Sequence, residues 1–265
     1  MDNQEFKDND SKDMTYYPDL KQSLGLVIRL FLIGFPFYFI RKYLSTDNPE
    51  LNSLTLMLTS LVAQTIIILF GLRVMRKRNN DEYKLKFKHI QFSTLLILGL
   101  MGISVGIIAT ELGRFAPTIP RTAEYFRRIY QPNFYSFIRL VIATPIVEEI
   151  FFRGIILEGL LKNYKPIKAI TLSAIIFGVV HINPSQIILA TLHGLLIGWA
   201  YWKTGSLIPG LLIHFLNNLI FHFSLFKPHI NQFVFRTPIV LLLILTVIAI
   251  SVGYKFLNKK LTNVV

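Results

Sequence analysis

Eight apolar runs, at roughly 22–40, 51–72, 92–113, 137–161, 166–182, 185–202, 206–225 and 237–256, constrain this chain more than any other feature. They approach the ~20 residues that carry a helix across a bilayer, and none alternates over ~10 residues as a membrane barrel strand does. Only 16% of the 265 residues are charged and 52% are hydrophobic, against about 25% charged in a soluble domain. The mean hydropathy of +0.50 agrees. The expectation is an all-α polytopic membrane protein with about eight transmembrane helices.

The net charge of +13 does not indicate nucleic-acid binding, because the basic residues gather between apolar runs, where they report topology. The densest group is Arg73, Arg76, Lys77, Arg78, Lys84, Lys86 and Lys88; Lys162, Lys165 and Lys168 follow the fourth run, and Lys255, Lys259 and Lys260 the eighth. With these on the cytoplasmic side, both termini are cytoplasmic and eight spans close the topology. Residues 1–21 are polar and mixed in charge, an expected disordered tail with no cleavable signal peptide. Arginines and aromatics intermix over 114–133, as in an interfacial helix. The chain has no cysteine, which removes disulfides, thiolate metal sites and a cysteine nucleophile.

Polar groups inside the fourth run carry the chemistry. Glu148, Glu149 and Arg153 lie in a stretch that is predominantly apolar from Leu140 to Leu161. Each charge near mid-membrane raises the insertion free energy by ~2.5–3.5 kcal/mol. Glu149 and Arg153 are four apart, on one helix face and in the favourable order for pairing. Glu148 lies about 100° around the helix from Glu149, without a local partner. Pro145 cannot donate to the carbonyl of Val141, so a kink and a free carbonyl are expected beside the carboxylates. A buried ion pair that merely joins helices would account for Glu149 and Arg153 but not for Glu148.

Further polar positions accompany them. His181 ends the fifth run; His214 and Asn218, four apart, share a face of the seventh that His222 extends. A carboxylate with a histidine can hold a water and remove its proton. A histidine and an amide on one helix face can donate to a developing oxyanion. Peptide hydrolysis needs both. Gly194 and Gly198 form a small-xxx-small pair expected to mark a close helix contact.

The series Glu148-Glu149-x-x-x-Arg153, Phe177-x-x-x-His181 and His214-x-x-x-Asn218, with the Lys203-Thr204-Gly205-Ser206-Leu207 connection, resembles the CPBP family. That family comprises CAAX-processing type II endopeptidases and bacteriocin-processing or immunity proteins, also called the Abi family. The resemblance covers about 137–222. Together with the apolar runs, it divides the chain into a 1–21 tail, N-terminal helices and interfacial segment over 22–136, catalytic helices over 137–225, and a last helix with basic tail over 226–265. It implies an intramembrane endopeptidase with its site inside the helix bundle. Glu148 and His181 would activate water, His214 and Asn218 would form the oxyanion hole, and Glu149 and Arg153 would support the site. The implied partners are the bilayer and a peptide or lipidated-protein substrate. The implied location is the cell membrane of a bacterium. No cofactor is expected: the chain has no His-Glu-x-x-His motif, and the alternative, zinc, would fall to Glu148, His181 and His214. A proton-coupled transporter and a non-catalytic peptide-binding or bacteriocin-immunity protein are the rival functions.

Overall fold

A computed structural model describes residues 16–79, 83–117, 133–226 and 239–261. The expected interfacial segment falls largely outside these residues, as do positions 1–15 of the tail. Among the described residues the chain forms eight helices and no strand: α1 (Leu20–Tyr43), α2 (Pro49–Asn79), α3 (Phe92–Gly113), α4 (134–163), α5 (Pro166–Val179), α6 (Pro184–Thr204), α7 (Ile208–Phe226) and α8 (Ile239–Leu261). By length and hydropathy α1, α2 and α3 can each cross a membrane unaided; parts of α5, α7 and α8 form shorter apolar helices. Helices are the required form here, since backbone donors and acceptors in lipid must be satisfied within the segment.

Local sequence sets the ends. Asp19 caps α1 in a reciprocal box with Gln22. Pro166 and Pro184 open α5 and α6, where a missing N–H is tolerated. Gly205 closes α6 with φ +58°, a left-handed conformation that favours glycine. Residues 16–18, preceding α1, are ordered by two asparagines at helix ends. Tyr16 N–H donates to Asn163 Oδ1 at 2.9 Å and Tyr17 N–H to Asn79 Oδ1 at 2.7 Å. This gathers the N-terminal side of α1, the end of α2 and the end of α4 at one end of the bundle.

The basic connection before α3 is tied to the same end. Leu207 N–H donates to Lys86 O at 2.9 Å and Ser206 Oγ to Lys88 O at 2.9 Å. Tyr83 donates its hydroxyl to Gly154 O. Glu158, a further carboxylate in the fourth run, is buried between Lys86 Nζ at 2.5 Å and the Tyr201 hydroxyl at 2.7 Å. Both of its oxygens are used structurally, which separates it from the other two glutamates.

The main core joins α1, α2, α4, α5 and α6 through residues such as Leu26, Ile67, Phe151, Ile155 and Leu157. A second cluster, including Leu98, Met101, Ile197, Ile213 and Leu257, joins α3, α6, α7 and α8. The Gly194 and Gly198 pair does make a close helix contact. A Cβ at Gly194 would lie 3.0 Å from Ala174 Cα, and one at Gly198 3.1 Å from Ile170 Cγ2, both on α5.

Candidate active site

The fourth helix is continuous, but two of its stretches, Ile138–Ala143 and Ile150–Leu157, take the wider π winding. The first sits just ahead of Pro145. Thr144 N–H reaches back five residues to Arg139 O. In that register the donor owed to Leu140 would come from residue 145, a proline with no N–H. The free carbonyl is therefore Leu140, one position before the Val141 expected from α-helical spacing. Asn218 Nδ2 fills the vacancy, donating to Leu140 O at 2.8 Å. A lesion in α4 is thus satisfied by a side chain of α7, 78 residues away.

The two glutamates separate as helix geometry requires. Glu149 is fully buried; its Oε1 accepts from Arg153 Nη1 at 3.0 Å and from His214 Nδ1 at 3.0 Å. The Arg153 guanidinium lies 4.4 Å from the centre of the Phe177 ring, a cation–π contact in a desolvated setting. Gly210 on α7 lets the carboxylate approach, since a Cβ there would stand 2.7 Å from Glu149 Oε2. Glu148 faces another way. Its side chain is 21% exposed, and its Oε2 has no hydrogen-bond partner and lies 3.7 Å from His214 Nε2. His214 thus stands between the carboxylates, bonded to one and opposed to the other.

His181 arrives by a different route. Helix α5 has only 14 residues, about 21 Å at ~1.5 Å per residue, short of a ~30 Å hydrocarbon core. It ends within the bundle, near the depth of Glu148 on the antiparallel α4. Just beyond it Ile182 takes φ +63°, a costly conformation for a β-branched residue, held where the chain turns into α6. His181 Nδ1 lies 2.8 Å from Phe177 O. With Nδ1–H donating there, Nε2 carries the lone pair. The Phe177 ring stands edge-on to both His181 and His214, at 5.1 and 5.9 Å between centroids.

Glu148, His181, His214 and Asn218 line one cavity of about 300 Å³. His222 does not join them: it is buried edge-on against Phe137 at 5.4 Å. The cavity also receives Gln64, Gln186, His193 and Asn217, which the sequence analysis passed over. Buried His193 places Nε2 3.2 Å from Gly102 O and Nδ1 3.1 Å from Leu189 O, joining α6 to α3. Each of these is a polar group inside an apolar run, the same signal that exposed His181 and His214. A second cavity, of about 160 Å³, adjoins the first and shares Gln64, Glu148 and His181 with it. As for zinc, no three of the described His, Asp and Glu side chains stand close enough together to hold a metal ion. His181 and His214 each spend Nδ1 on a protein acceptor.

The fold and site define an integral membrane protein with carboxylates, histidines and amides gathered inside an all-helical bundle. Residues 130–220 match the family described as type II CAAX prenyl endopeptidase Rce1-like. That segment, about a third of the chain, is similar to CAAX-type endopeptidases. Helices α1 to α3 and α8 lie outside the matched segment. No curated protein and no solved structure matches the chain.

Proposed function

We propose that this chain hydrolyses a peptide bond in a membrane-associated peptide or protein by a metal-free mechanism with Glu148 as the base. The observation that carries this reading is Glu148, a partly exposed carboxylate whose Oε2 makes no hydrogen bond, lining a cavity that also holds His181, His214 and Asn218. An ionisable group is costly in lipid, and at such a site implies a task. A water held between Glu148 and the free Nε2 of His181 would lose a proton as it attacks the substrate carbonyl carbon. The proton would pass to the leaving nitrogen as the C–N bond breaks.

The oxyanion would meet His214 and Asn218. Asn218 has two amide hydrogens and spends one on Leu140 O, leaving the second for substrate. His214 donates Nδ1–H to Glu149, so it serves the oxyanion when Nε2 also carries a proton. Glu149 and Arg153 hold that ring without touching substrate. The basic residues of the α2–α3 and α4–α5 connections lie at the bundle end that holds Tyr16. This supports cytoplasmic termini. Comparative mass spectrometry of membrane and secreted peptides, from cells carrying wild type or Glu148→Ala, tests the reading. Peptides that appear only with wild type identify the substrate; identical peptide sets would refute proteolysis.

A further inference from the structure

A third cavity, of about 250 Å³, lies between α1 and α2 and shares Leu30 and Gln64 with the second. The three therefore form a series from the α1–α2 groove, through the apolar chamber beside Glu148, into the polar cavity. Gln64 lines all three. We propose that this groove binds the extended backbone of the substrate polypeptide beside the scissile bond and leads it laterally to Glu148. The inference rests on the proteolytic reading above and adds the substrate's route and conformation. It draws on helices outside the family match.

The groove has the chemistry such an occupant demands. An extended peptide in lipid carries unpaired N–H and C=O groups, each costing several kcal/mol unless the protein supplies partners. Along its α2 wall the groove presents Thr59, Ser60 and Gln64. The Thr59 hydroxyl donates to Thr55 O at 2.7 Å and keeps its lone pairs for an incoming N–H. Among the described residues neither the Ser60 hydroxyl nor the Gln64 amide has a hydrogen-bond partner. An amide in an apolar helix is expensive unless water or a ligand completes it.

The spacing fits as well. Ser60 and Gln64 are four residues apart on one face, about 6 Å along the axis at ~1.5 Å per residue. An extended chain repeats every two residues, at about 6.6–6.8 Å, with groups on the same edge. The two side chains can therefore meet successive groups on one edge of a bound strand. A lipid acyl chain has no use for these polar groups. The opposite wall is open: a Cβ built on Gly34 would meet nothing within 4 Å.

The test uses the full chain in proteoliposomes and two probe libraries with degenerate residues around the cleaved bond. One consists of tetrapeptides; the other carries the same sequences within a membrane-anchored polypeptide. Gly34→Trp fills the groove, and Gln64→Leu removes the amide. Leu69→Trp, at an exposed apolar position of α2, controls for bulk. The expected result is a loss of at least tenfold in kcat/KM on the anchored library for both groove variants, carried mainly by KM. The loss on tetrapeptides should be several-fold smaller, and Leu69→Trp should behave as wild type. Unfolding midpoints confirm that the variants are folded.

Because the chain lacks cysteine, Ser60→Cys supplies a single thiol for a second readout. In a Glu148→Ala background, a cysteine placed beside the scissile bond of the anchored peptide should form a disulfide with it when a copper–phenanthroline oxidant is added to take up the two electrons. A poorly folding variant therefore leaves the idea testable. Equal losses on both libraries, or no disulfide, would overturn the groove while leaving Glu148-dependent proteolysis standing. No Glu148-dependent cleavage of either library would overturn the proteolytic reading, and the groove with it.

Discussion

Glu149→Leu should destabilise the protein by ~3–5 kcal/mol, the cost of stranding a buried charge. Arg153 is 1% exposed, and its Nε and Nη2 already lack hydrogen-bond partners. Among the described residues no acceptor other than Glu149 bonds it. The Phe177 ring contributes a cation–π contact of about 2 kcal/mol, but that contact exists in both proteins and offsets nothing. Removing both charges, as Glu149→Leu with Arg153→Met, should therefore be better tolerated than removing one. Both variants lose the acceptor for His214 Nδ1, about 1–3 kcal/mol. The double variant also gives up the Phe177 contact, about 2 kcal/mol, which is set against the ~3–5 kcal/mol regained by removing the stranded charge. The double variant should thus recover roughly 2 kcal/mol and yet stay inactive, because His214 is no longer held. Equilibrium unfolding in mixed detergent micelles, followed by helicity, gives the three free energies, and a cleavage assay gives activity. A double variant no more stable than Glu149→Leu would refute the reasoning. So would one that cleaves as wild type does.

Asn218→Leu should cost about 1–3 kcal/mol by orphaning the Leu140 carbonyl. Pro145→Ala supplies a backbone donor for that carbonyl, so in its background the loss should shrink by ~1 kcal/mol in a double-mutant unfolding cycle. Gly210→Ala places a Cβ 2.7 Å from Glu149 Oε2 and 2.8 Å from Ile197 Cγ2; a loss of about 1–3 kcal/mol with reduced cleavage is expected. Cleavage by the purified protein should survive a strong zinc chelator; inactivation that added zinc reverses would refute the metal-free mechanism.

Periodicity and chemistry revealed much of this arrangement in advance. The apolar runs became helices because lipid allows little else, and Glu149 met Arg153 because four residues make about one turn. Glu148 stood apart for the same reason. What stayed hidden depends on contacts between distant segments or on a local change of winding. His214 reaches Glu149 across 65 residues, which no helical spacing reports. The π turn ahead of Pro145 moves the free carbonyl from Val141 to Leu140, and only the packing of α7 shows that Asn218 fills it. Gln64 was visible as an amide in an apolar run. Its importance comes from the meeting of three cavities, a property of how α1, α2 and α4 pack.

The most direct test of the account is the single-turnover cleavage rate of purified wild type and Glu148→Gln in proteoliposomes, on the peptide that the cellular comparison identifies. Glu148 is partly exposed and its Oε2 makes no hydrogen bond, so the variant should unfold within about 1 kcal/mol of wild type, as substitutions that disturb little packing do. Its cleavage rate should fall by ~10²–10⁴, the range of a lost general base. A folded Glu148→Gln protein that cleaves within about tenfold of the wild-type rate, outside that range, would contradict the assignment of Glu148 as the group that activates water.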